Sequence, residues 1–324
     1  MSVLVELPLR FYQANRNAFA AFKPVAPFNL GTARAMAWMS QLAYETAHRD
    51  KVEEVCGLFD LHLIEIIAND SDSGFDLLPL HTRGVIVEGH GATIVAFAGT
   101  DPLIPVNWIT DFNVGLKFRF NERVTPPLLH RGFETAFKSV ASNVTRVLTN
   151  RGETPVLITG HSMGAALALI AADHLLSEQN RRATAVYGFG VPRVGDQDFA
   201  SRYNETLGST TYRLVHGSDI VASVPPSGFG FRHVGLLIRC ARGTQFAAEP
   251  LPSEFSDDPQ FRDSLLSGFQ DGVSDLFELQ LQPVIRDDVL GQMSRLLLPH
   301  FGDHLPDRYL LALGGVGGGD QIRT

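Results

Sequence analysis

The 324-residue sequence predicts an α/β protein built on a mostly parallel central sheet with flanking helices. Two observations predict it. Short apolar, β-branched runs alternate with Ala- and Leu-rich or helically periodic ones, the pattern of strands joined by helical crossovers. Several of the runs also end in Gly-containing loops that carry reactive side chains: Thr100, Ser162 and Asp219 each fall just past a candidate strand. Open parallel sheets keep their working residues at that edge.

Residues 1–30 have no clear period and read as an N-terminal arm. From Gly31 to His48, apolar positions at Ala35, Trp38, Met39, Leu42 and Ala43 follow helical spacing. Leu61–Ala68 reads as a short strand or helix, and Ser71–Gly74 as a loop. Gly84–Glu88 and Thr93–Ala98 read as two strands around a Gly89-His90-Gly91 turn. Pro102–Phe120 is rich in large apolar groups, among them Leu103, Ile104, Trp108, Phe112 and Phe118. Following a reactive loop, it reads either as a mobile lid that meets lipid or as buried packing. A helix is expected over Glu134–Asn150 and another over Met163–Gln179. Strands are expected at Pro155–Thr159, Ala185–Phe189, Thr211–His216 and Phe231–Cys240. Apolar stripes at Phe261, Leu265, Phe269, Val273 and Leu276, then Ile285, Val289, Met293 and Leu296, predict a helical insertion over about 249–298. It would cover the site, form a homo-oligomer contact or add a packing layer. Residues 31–313 thus read as one domain, and 314–324 as a flexible Gly-rich tail.

The totals exclude several classes. Net charge is -8 and no basic run stands out, which argues against a nucleic-acid partner. Two cysteines, Cys56 and Cys240, could pair but are too few for a disulfide framework, and they read as reduced and buried. No apolar run reaches the ~20 residues of a membrane span. Residues 1–22 lack the basic start, apolar run and small-residue site of a cleavable leader. The expectation is a soluble protein, cytoplasmic or exported without a cleaved leader.

The sharpest signal is Gly160-His161-Ser162-Met163-Gly164, set between a β-branched run and an alanine-rich one. The bare pattern occurs by chance in roughly one chain of this length in ten, so its strand-to-helix setting carries the reading. A serine hydroxyl is a poor nucleophile until a base takes its proton. A sharp turn exposes Ser162 to such a base, and small neighbours at 160 and 164 let the backbone make it. The following helix offers its positive end and the Met163 N–H to a developing oxyanion. Thr100, at the end of a neighbouring strand, is placed to give a second N–H, or is a plain turn residue.

A base and an orienting carboxylate are then needed, in the chain order Ser, Asp or Glu, His. His174 lies in the helix of Ser162, His216 precedes Asp219, and His233 starts a strand with a structural role. His300 and His304 remain. Their spacing of four also permits metal ligation, but no His-Glu-x-x-His or nearby cysteine supports a metal. For the acid, Asp219 ends a clean strand, whereas Asp196 reads better as a helix cap.

Read in order, Phe97-Ala98-Gly99-Thr100, Asn107-Trp108-Ile109-Thr110-Asp111, His130-Arg131-Gly132-Phe133, Gly160-His161-Ser162-Met163-Gly164, Pro192-Arg193-Val194-Gly195, Val215 through Val221, Phe231 through Gly235 and Asp303-His304 resemble the class 3 lipases, which include fungal triacylglycerol lipases. The resemblance implies the α/β-hydrolase fold, Ser162 as nucleophile, Asp219 as acid and His304 as base. It implies an oxyanion hole from Thr100 and Met163 and a lid after Thr100. The expected activity is hydrolysis of carboxylic esters, acylglycerols first, with no metal or organic cofactor. A phospholipase A1 or short-chain esterase on the same triad is the alternative, and a catalytically inactive lipid-binding module the remote one. Ala98 stands where the family often has Arg, and the stretch from Cys240 to His304 is long for its compact members.

Overall fold

A computed structural model of the chain describes residues 6–68, 82–99, 128–225, 227–247 and 303–315. Thr100, the expected lid over Pro102–Phe120, the helical insertion at about 249–298, His300 and the tail from 316 lie outside the described residues.

Seven strands form one sheet: β1 (His62–Ala68), β2 (Arg83–Gly89), β3 (Ala92–Phe97), β4 (Val156–His161), β5 (Ala185–Phe189), β6 (Thr211–His216) and β7 (Leu236–Cys240). They lie side by side in sequence order. The β1–β2 and β2–β3 pairs are antiparallel, and every pair from β3 to β7 is parallel. The sheet is therefore mostly parallel, as the alternating pattern of runs predicts. Each residue of β4 is buried. Such a strand is covered on both faces, which is why Val156, Leu157 and Ile158 run apolar without alternation.

Side chains leave β4 alternately up and down, and this splits the core in two. Val156 and Ile158 join Val95 and Phe97 under helices α4 (Arg131–Lys138), α5 (Ala141–Thr149) and α6 (Met163–Gln179). Leu157 joins Ile94, Tyr187, Phe189 and Leu214 under α2 (Leu30–Leu42) and the C-terminal α8 (Pro306–Ala312). Two further helices, α3 (Arg49–Leu58) and α7 (Gln197–Thr206), complete the cover. Among the described residues no helix is long and apolar enough to cross a membrane. Cys56 and Cys240 are both buried and free.

Three segments differ from their reading in the sequence. Residues before 28, which show no period, contain the short helix α1 (Leu9–Ala14). It is held by tertiary contacts rather than propensity: Tyr12 is buried 5.4 Å from the Trp38 ring. Glu45, itself fully buried, accepts hydrogen bonds from the Leu7 N–H at 2.8 Å, the Tyr12 hydroxyl at 3.0 Å and Lys51 at 2.7 Å. The helix expected over Glu134–Asn150 is two helices, broken at Ser139–Val140. The Ser139 hydroxyl donates back to the Ala136 carbonyl at 2.7 Å, the local bond by which serine competes with a continuing helix. The last strand starts at Leu236 rather than Phe231. Arg232 there instead bridges to Gly195.

Candidate active site

Ser162 sits between β4 and α6 at φ 60°, ψ -128°. A positive φ is costly for a residue with a Cβ, and such outliers gather at functional sites. Two features hold the turn. The Ser162 N–H donates to the Phe189 carbonyl at 2.9 Å, tying it to the end of β5. Gly160 and Gly164 approach so closely that a Cβ on Gly160 would overlap the Gly164 backbone, and one on Gly164 would overlap Phe97 and Ala98. Met163 is the first residue of α6, a position whose N–H has no acceptor within its own helix. Gly99, last described residue of the β3 loop, abuts the same spot, since a Cβ there would lie 2.9 Å from Ser162 Cβ.

Asp219 follows β6 and is fully buried. His304 precedes α8 and is buried too. Its Nδ1 is 2.9 Å from each carboxylate oxygen of Asp219. Asp219 also accepts from the Val221 N–H at 2.8 Å and the Tyr309 hydroxyl at 2.5 Å. Burial works against its charge, yet His304 and the Tyr309 hydroxyl outweigh that and hold the carboxyl below its ordinary range. An ionised carboxylate only accepts, so His304 Nδ1 carries the proton and Nε2 presents a bare lone pair. That Nε2 is buried and has no hydrogen-bond partner among the described residues. Gly190 makes room for this pair: it has φ 60°, and a Cβ there would stand 2.5 Å from Asp219 Oδ2 and 2.9 Å from the His304 ring.

The structure therefore brings Asp219 and His304 into contact, and His161, the neighbour of Ser162, touches His304. Asp196 is elsewhere. Its Oδ1 caps α7 at the Phe199 N–H at 2.9 Å, and its Oδ2 accepts from the Leu128 N–H at 3.0 Å. His174 pairs with Thr145, and His233 with the Ala222 carbonyl at 2.8 Å. His216 is the nearer surprise. Burial lowers its pKa, so it is neutral, and its Nδ1 lies 3.7 Å from Asp303, too far for a hydrogen bond. Among the described residues no three His, Cys, Asp or Glu side chains group as metal ligands do.

Several residues at this centre carry no separate signal in the sequence. Tyr309 is one, five positions past His304 on α8. His161 is another. Its ring lies 4.5 Å from the His304 ring, with Nδ1 at 2.8 Å from the Tyr44 hydroxyl and Nε2 at 2.6 Å from the His304 carbonyl. Burial, and then the neighbouring His304, push its pKa down to about 3. His161 is therefore neutral. Because a carbonyl only accepts, Nε2 holds its proton and Nδ1 accepts from Tyr44. The histidine beside Ser162 is thus a strut for the backbone of His304, with its tautomer set by its two neighbours.

Residues 94–229 match the family described as lipase (class 3). A secreted mono- and diacylglycerol lipase of Malassezia globosa is 32% identical over 155 residues, covering 43% of this chain and 49% of that protein. A second, from Fusarium solani, is 37% identical over 131 residues, 39% of this chain and 38% of that protein. The chain thus spans half or less of the length of these curated relatives. Among solved structures, lipase II from Rhizopus niveus superposes with a TM-score of 0.54 at 22% identity, covering 81% of this chain and 91% of that one. At that identity the likeness speaks for the fold alone, which is that of the fungal lipases, the α/β-hydrolase fold.

Proposed function

We propose that this chain, whose residues 94–229 match the class 3 lipases, hydrolyses carboxylic esters of the acylglycerol type. The observation that carries the reading is the state of His304. Its Nδ1 is spent on a buried, ionised Asp219, its Nε2 has no hydrogen-bond partner among the described residues, and its ring lies 4.5 Å from that of His161, the neighbour of Ser162.

His304 Nε2 takes the hydroxyl proton as Ser162 Oγ attacks the ester carbonyl. Asp219 holds the ring in the right tautomer and balances the imidazolium that forms. The Met163 N–H, at the positive end of α6, and Thr100 stabilise the oxyanion. Support for Thr100 is its chain neighbour Gly99, which lies against Ser162. His304 then passes its proton to the departing alcohol, and water releases the acyl group by the same route in reverse. The relatives' names supply the substrate class: both are called mono- and diacylglycerol lipases.

Hydrolysis of p-nitrophenyl esters from short to long acyl chains, with fluorophosphonate labelling, tests this. The expected result is a labelled, active wild type with Ser162→Ala and His304→Ala both inactive. Activity confined to short chains would replace the lipase by an esterase. An inert wild type that takes no label would refute the hydrolase reading.

A further inference from the structure

Beside the acid and base lies a second carboxylate that the reaction does not use. Asp303 directly precedes His304 and is 3% exposed. It accepts from the Ser218 N–H at 2.8 Å, and Ser218 directly precedes Asp219. It also accepts from Arg242, at 2.8 and 3.1 Å from Nε and 2.6 Å from Nη2. Arg242 stands two residues beyond β7, and the Gly217 N–H donates to the Cys240 carbonyl at 2.9 Å. One side chain thus joins the three segments that meet here: the β6 loop with Asp219, the end of β7, and the strand-free segment with His304.

The clamp is built to last. Burial opposes the charge of Asp303, but the Arg242 guanidinium and the Ser218 N–H more than offset it and hold the carboxyl below its usual range. Arg242 contributes a planar fork that fixes direction as well as charge. Among the described residues, the other charged or titratable groups facing this corner include His216, neutral through burial, Cys240, Arg308, and the Asp219–Tyr309 pair.

We propose that Asp303, held by Arg242, is a positioning residue for the hydrolytic reaction: it sets the register between the residues next to the acid and the base, and so the angle at which His304 meets Asp219 and Ser162. This rests on the ester-hydrolase reading above. Reacting groups displaced by about 1 Å lose on the order of a hundredfold in rate, so an orienting clamp acts on kcat more than on KM.

The experiment compares wild type, Asp303→Asn, Arg242→Gln and Arg242→Lys by p-nitrophenyl ester kinetics across pH about 5 to 9, with thermal midpoints and fluorophosphonate labelling. Arg242 is half exposed, and the thermal midpoints show how far each variant keeps the fold. The expected result is a kcat about tenfold lower in Asp303→Asn and Arg242→Gln, with KM within about twofold. Arg242→Lys recovers part of the rate. A wild-type kcat in Asp303→Asn would overturn the proposal. So would a loss explained wholly by unfolding of Asp303→Asn while folded Arg242→Gln keeps full kcat. An inert, unlabelled wild type would instead overturn the hydrolase reading, and the proposal with it.

Discussion

Replacing Tyr309 by Phe removes one oxygen from the most buried part of the site. The ring would stay, packed against His161 and Phe189 at 5.8 Å and Phe246 at 6.4 Å. Asp219 would keep His304 and the Val221 N–H but lose the phenol, its shortest bond at 2.5 Å. Hydrogen bonds to charged groups contribute roughly 1.5–3 kcal/mol. Tyr309 is 1% exposed, so water does not step in, and the expected loss at pH 7 is about 2 kcal/mol. The loss depends on pH with a definite sign. Asp219 is held below its ordinary range. Its contribution is therefore complete above the unfolded carboxylate pKa of about 3.9 and drains away as pH falls through the lower folded value. Urea unfolding of both proteins at pH 7 and near pH 3 measures this directly. The difference is expected to shrink at the lower pH. A difference under about 0.5 kcal/mol at pH 7, or one that persists undiminished in acid, would refute the assignment of the phenol to an ionised Asp219.

Two other substitutions probe the same geometry. Gly190→Ala puts a methyl 2.9 Å from the His304 ring at a φ of 60°; kcat should fall on the order of a hundredfold, and near-normal steady-state rates would show that the base is not held there. Asp196→Ala removes the α7 cap and the bond to Leu128; unfolding should cost about 1–2 kcal/mol while Ser162 still takes a fluorophosphonate, and loss of labelling in folded protein would return Asp196 to the choice of acid.

Much of the sheet was legible because parallel strands buried on both faces announce themselves. Thr211–His216 and Ala185–Phe189 are read to the residue, and so is the helix Met163–Gln179, whose alanines and leucines have no polar face to confuse the boundary. Where tertiary contacts decide, the sequence is silent. Nothing around Leu9–Ala14 reveals that Tyr12 will donate to Glu45 thirty-three residues away. The break at Ser139 is marked by a local hydroxyl bond to the Ala136 carbonyl. The same holds at the site. Chain order and strand ends lead to Asp219 and leave His300 and His304 as the base, and the resemblance to the class 3 lipases then picks His304. The supports, Tyr309, Tyr44 and Asp303, are ordinary residues whose roles exist only once β6, β7 and α8 are side by side. His161 sat in the most conspicuous motif of the chain, but its second bond goes to a carbonyl 143 positions on, which no local pattern records.

Strands added in sequence order also set a timetable. Each strand emerging during synthesis meets an edge already laid down by the strand before it. Asp219 and His304, however, are 85 positions apart. At 5–20 residues per second, about 4–17 s separate their arrival. For that interval a growing chain holds Ser162 on its turn and Asp219 at the end of β6, with the imidazole not yet made. The proposed acid–base pair is thus completed only after the chain has grown 85 positions past Asp219.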